Sequence, residues 1–152
     1  MSGLRNAFLT VAIIAGATIS WSQAKPIELN LSRLLEPNGR GLTPAKTALQ
    51  ATGKRVRLEG FMALMDEPPQ GGFWLCPSQV FQDESGAGSG DLPPNAVFVV
   101  VRGAGKKPIA HLAGRLSVTG ILAFGPKDPR ITLTLDSDKD IAASSSKGRK
   151  NR

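Results

Sequence analysis

KRVRLEGFMALM (residues 54–65) and GRLSVTGILAFG (residues 114–125) decide how this chain folds. Both alternate side chains with period two, the pattern of a strand with one covered face. In the first, Val56, Leu58, Gly60, Met62 and Leu64 share a face. Arg55, Arg57 and Glu59 begin the opposite face, which turns apolar at Phe61, Ala63 and Met65. In the second, Leu116, Val118, Gly120, Leu122 and Phe124 fall together. Aligned on one another, the two stretches place Gly60 opposite Gly120. A glycine inside a strand marks a bend or bulge, because no side chain resists the coiling. Two long strands, each bent at its middle, suit a small barrel whose strands curl around the core.

Working outward, three more segments read as strands. GFWLC (residues 72–76) is short and apolar on both faces, and AVFVVVR (residues 96–102) is too, as in a strand covered on both sides. RITLTLD (residues 130–136) turns Ile131, Leu133 and Leu135 inward and Thr132 and Thr134 outward. Gly- and Pro-rich turns separate the strands at residues 67–72, 85–95, 103–105 and 125–129. A short helix is predicted ahead of them, with Thr43 as N-cap, Pro44 in the first position, and Gly53 at the close. Residues 31–35 are predicted to add a single turn. The fold class is therefore all-β, a five-stranded OB-like barrel with a short N-terminal helix. The competing five-stranded open meander would leave long bare edges.

Residues 1–24 have the layout of a secretory signal: Arg5, an apolar core over residues 7–20, and Ser22-Gln23-Ala24 before the expected cleavage at Lys25. The apolar core is diluted by Thr10, Gly16 and Thr18 and falls short of the roughly 20 apolar residues a spanning helix needs. The expected organisation is a signal peptide at 1–24, a barrel domain at 25–141 and a disordered basic tail at 142–152. The location this implies is periplasmic or secreted, with nothing spanning the membrane after processing. Formal charge is +7 for the whole chain, which favours anionic surfaces in general. Nucleic acid is set aside as a partner: export separates them, aromatics make up only 5% of the chain and tyrosine is absent, so base stacking is poorly supplied.

The run LQATGKRVRLEGF (residues 49–61), the FWL-C segment, Pro93-Pro94-Asn95 before a strand, and the late V-T-G-I-L resemble an uncharacterised family of small exported bacterial proteins of OB-like type. The resemblance covers the order of elements from about Ile27 to Asp136. It implies an OB-like fold and export. Members often carry a proline shortly after the strand glycine and a cysteine with a nearby histidine. Here Met62-Ala63-Leu64 stands in the first place, and Cys76-Pro77 has no neighbouring histidine in the second.

Cys76 is the chain's one cysteine and His111 its one histidine. A nucleophilic thiol needs a base within hydrogen-bond reach, and nothing in the spacing brings these two together. Structural zinc wants about four Cys or His ligands. A softer copper site could recruit Met62 or Met65, but an odd separation puts them on opposite faces of a strand. Asp136, Asp138 and Asp140 are spaced like the start of a calcium loop but lack its glycine and closing glutamate. The ligand-binding candidates are Arg55, Arg57, Trp74 and Arg115, with the acidic loop residues Asp83, Glu84 and Asp91 expected to fold back on the arginines. The function this suggests is an exported, non-catalytic binding or accessory module of the bacterial cell envelope. It would need no cofactor and would take an envelope protein or an anionic ligand. The alternatives are a metal carrier using Cys76 and His111, or a thiol enzyme with Cys76 as nucleophile.

Overall fold

The computed structural model describes residues 24–81, 92–125 and 130–144. The signal sequence (Ala24 apart), the loop acids Asp83, Glu84 and Asp91, and the tail beyond Ser144 lie outside the described residues. Among the described residues the elements run β1 (Ile27–Leu29), a 3-10 turn (Leu31–Arg33), β2 (Leu35–Asn38), β3 (Gly41–Pro44) and α1 (Lys46–Gln50). Then come β4 (Arg55–Met62), β5 (Gly72–Cys76), β6 (Val97–Val101), β7 (Arg115–Phe124), β8 (Ile131–Leu135), a second 3-10 turn (Asp138–Asp140) and β9 (Ile141–Ala143). The chain is mostly strand, with almost no helix.

Five strands close a barrel in the order β4-β5-β6-β8-β7, and β7 returns to pair with β4. All neighbours are antiparallel except β6 and β8, which run parallel. Closure leaves no long bare edge of the kind an open sheet would present. The inward faces carry the alternation read from the sequence: Val56, Leu58 and Met62 from β4, Phe73 and Leu75 from β5, and Val97, Val99 and Val101 from β6. Leu116, Val118 and Leu122 from β7 and Ile131, Leu133 and Leu135 from β8 complete the same cluster. No polar or charged residue is buried among the described residues.

The two mid-strand glycines sit where the barrel changes partner. β4 pairs with β1 through Leu58 and with β5 from Phe61, so its edge switches neighbours across Gly60. β7 pairs with β9 through Val118 and with β8 from Ile121, so its edge switches across Gly120. Leu58 lies opposite Val118 in the β4–β7 ladder, and a local two-fold there carries Gly60 onto Gly120. A Cβ at Gly60 would stand 2.6 Å from the Cys76 carbonyl oxygen, and one at Gly120 2.5 Å from that of Thr134. The neighbouring strand crosses so closely that only glycine fits.

Four short strands lie outside the sequence expectation. β1 and β9 extend the β4–β7 pair to a strip ordered β1-β4-β7-β9, and β2 and β3 form a separate hairpin. Two local expectations are corrected. Thr43 and Pro44 end β3 instead of starting the helix, because both pair with β2, and the N-cap is Ala45 in extended conformation. Ala142 and Ala143 belong to β9 instead of the tail, and Ser144 donates its N–H to the Arg115 carbonyl at 2.8 Å. Residues 31–51 contribute Leu31, Leu34, Ala45, Ala48 and Ala51 to the barrel cluster.

Candidate functional site

The β4–β7 pair turns a charged face outward. Its ladder sets Arg55 opposite Ile121, Arg57 opposite Thr119, Glu59 opposite Ser117 and Phe61 opposite Arg115. Alternate residues of a strand share a face, so these eight side chains stand together outside the barrel. Two grooves cross the face. One, of about 560 Å³, runs from Ala24 and Pro26 across Arg55, Arg57 and Glu59 to Lys139, Asp140 and β9. The other, of about 400 Å³, runs between residues 28–31 and Arg57, Glu59 and Arg115. Arg57 and Glu59 line both, so the two grooves adjoin over β4 and form a trough in two parts.

The three arginines differ in how firmly they are held. Arg55 Nη2 donates to Asp140 Oδ1 at 2.7 Å, and its Nη1 reaches Asp136 Oδ2 at 3.4 Å. Asp140 also accepts from the Ser137 N–H at 3.2 Å, and Asp136 takes a second arginine, Arg102, at 3.2 Å. Arg55 thus ties the turn between β8 and β9 to β4. Arg57 stands 3.6 Å from Glu28, and Arg115 3.9 Å from Glu59. Both separations exceed hydrogen-bond reach, and both carboxylates are well exposed, at 66% and 50%. Such pairs contribute little. The Arg115 guanidinium is placed by the Phe61 ring, whose centre lies 5.7 Å away.

Trp74 does not join the arginines. It projects from β5 on another side of the barrel, with its ring centre 5.0 Å from that of Phe98 on β6 and tilted 55° to it. The paired strand residues that face outward there are uncharged, namely Gly72, Trp74, Phe98, Val100, Thr132, Thr134 and Ala123 on β5, β6, β8 and β7, with Arg102 and Asp136 at the strand ends beside them. The barrel therefore has a charged face over β4–β7 and an uncharged face over β5–β6–β8.

Cys76 shares the outer face of β5 with Trp74, under Ala63 and Ala96, and has no exposed surface. Burial pushes its thiol up to about 11 from 9.0, which keeps the proton on sulfur at neutral pH. His111 is exposed, and its Nε2 lies 3.3 Å from the Met62 carbonyl oxygen, to which the protonated nitrogen donates. Met62 Sδ accepts from the Leu112 N–H at 3.4 Å. Asp136 and Asp140 are turned to arginine. Among the described residues no group of three or more His, Cys, Asp or Glu side chains is gathered as a metal site.

The site also contains residues that are not candidates from the sequence. Ser117 and Thr119 are legible there as the outward half of an alternating strand. Glu28, Lys139 and Asp140 are not, because β1 and the turn before β9 are too short to announce which way they face. Comparison with known proteins adds no relative: no family model, no curated protein and no solved structure matches the chain.

Proposed function

We propose that this chain is an exported, non-catalytic binding or accessory module of the bacterial cell envelope, and that the trough over β4–β7 receives its ligand. The fold belongs to this reading as an OB-like barrel. Numbered along the barrel, its strands follow the order 1-2-3-5-4 with the third and fifth parallel. Export and the resemblance to small exported OB-like proteins rest on the sequence alone. The observation that carries the binding reading is the pair of adjoining grooves, about 560 and 400 Å³, floored by charged side chains carried on strands. Strands hold a recognition surface more firmly than loops do, and the loose ion pairs of Arg57 and Arg115 leave those guanidinium donors open to a ligand.

The thiol-enzyme reading has less support. A nucleophile must be reachable and partly ionised, whereas Cys76 is enclosed and its pKa is raised. A photoactivatable residue at Ser117, on the trough floor, tests the binding reading in the living cell. The expected result is a covalent adduct with an envelope component at Ser117 and little at Ala123 on the uncharged face. Adducts at Ala123 alone would move the site off the trough, and a chain retained in the cytoplasm would remove the envelope role.

A further inference from the structure

We infer that the trough docks an extended peptide of a partner protein, with an acid, a base and an acid at alternate positions. This rests on the binding reading above and names the ligand's chemistry. Along the outer face of β4, Arg57 and Glu59 are two residues apart, and the next outward position, Phe61, is covered by Arg115 from β7. The face thus presents plus, minus, plus at two-residue steps. A strand advances about 3.3 Å per residue, so the three positions recur about every 7 Å along its axis, and Arg115, now 3.9 Å from Glu59, stands over the third once that pair opens. An extended peptide has the same repeat, and its alternate side chains point the same way. Two acids separated by a base would meet Arg57, Glu59 and Arg115 in turn.

The same row disfavours a uniform polyanion. Arg57 and Arg115 would attract it, but Glu59 stands between them and Glu28 beside them. A like charge set against each carboxylate opposes binding. The existing pairs yield readily, since 3.6 and 3.9 Å contacts to exposed carboxylates add little. In exchange, each arginine gains a two-pronged, charge-assisted contact with a peptide carboxylate. Arg55 does not take part, because Asp140 and Asp136 already hold it.

The test uses synthetic peptides and the purified protein, read by fluorescence anisotropy at low and moderate salt. One peptide carries Asp-Val-Lys-Val-Asp. A second has the same composition with its charges contiguous, so that they fall on both faces. A third carries Asp-Val-Asp-Val-Asp. The first should bind about tenfold more tightly than the second, three exposed pairs being gained together, and salt should weaken it. The first should also bind more tightly than the third, whose central acid meets Glu59, and Glu59→Lys should reverse that ranking. Glu59→Gln should narrow it and guards against a folding effect. Affinities equal within about twofold, or a ranking that Glu59→Lys leaves in place, overturn the inference. A Ser117 adduct that proves to be glycan or lipid would also overturn it while leaving the binding reading intact. Absence of any Ser117 adduct counts against the binding reading itself.

Discussion

Replacing Gly60 or Gly120 by alanine adds one methyl group where the barrel has no room for it. At Gly60 that carbon would meet the Cys76 carbonyl oxygen at 2.6 Å, Leu31 Cδ2 at 2.9 Å and Leu75 Cγ at 3.1 Å. At Gly120 it would meet the Thr134 carbonyl oxygen at 2.5 Å and Leu133 Cγ at 3.1 Å. The nearest atom in each case is backbone, so relief requires one strand to move off another. Overpacking of this kind costs about 1–3 kcal/mol. Alanine in a strand recovers roughly 0.5–1 kcal/mol of chain entropy relative to glycine. The expected net loss is about 0–2.5 kcal/mol at each site, centred a little above 1 kcal/mol, which at that centre lowers the melting midpoint of a domain this size by roughly 5 °C. Valine should cost more, since its two γ-carbons crowd the same crossing. Gly39 is the control: a Cβ there would have nothing within 4 Å, and its φ is not left-handed. Gly39→Ala should stay within about 0.5 kcal/mol of the parent. Urea and thermal unfolding of the three alanine variants decide the matter. Coincident midpoints for all three would refute the close-crossing account of the barrel.

Other consequences are simpler to state. Because burial raises the Cys76 thiol to about 11, the folded chain holds its proton where the unfolded chain releases it. The associated stability is present below pH 9 and is lost as pH climbs from 9 to 11, by up to about 2–3 kcal/mol. Urea midpoints at pH 8 and 10.5 should therefore fall further for the parent than for Cys76→Ala, and parallel falls would count against it. Arg55→Met should loosen the turn before β9 at a cost of about 1 kcal/mol, the partly exposed pairs being discounted for solvent, and faster amide exchange at Ile141 checks this. Intact mass of the exported protein should show Lys25 at its N-terminus, and a retained Met1 in the membrane fraction would contradict the signal reading.

The barrel strands are legible in the sequence because each carries enough alternation to declare its inward face. The glycine pair is legible too, as a repeated interruption in two otherwise similar strands. β1 and β9 have three residues each and β2 and β3 four, too few for a period-two pattern to stand out. The β2–β3 hairpin does leave a trace: Asn before a glycine favours a turn closed by its own side chain, and the Arg40 N–H donates to Asn38 Oδ1 at 3.0 Å. Pro37 and Pro44 hide it, since proline argues against a strand unless the strand lies at an edge, and Thr43-Pro44 imitates a helix start. At the site, the direction of Arg55, Arg57 and Arg115 follows from alternation. Their partners do not, because Glu28, Asp136 and Asp140 reach them only through the pairing of β1 with β4 and the turn after β8. Chemical type groups Trp74 with the arginines, but strand order places it on β5 around the barrel.

The central claim is that the charged trough, and not the enclosed thiol, is the working surface. The most direct measurement is the yield of the Ser117 photo-adduct in two backgrounds, Arg57→Glu and Cys76→Ser. Arg57→Glu alters only an exposed side chain on the trough floor, and Cys76→Ser replaces a sulfur with no exposed surface. The account predicts that the adduct falls about tenfold or more with Arg57→Glu and persists with Cys76→Ser. An adduct that survives Arg57→Glu but disappears with Cys76→Ser, in a chain that remains folded, would contradict it.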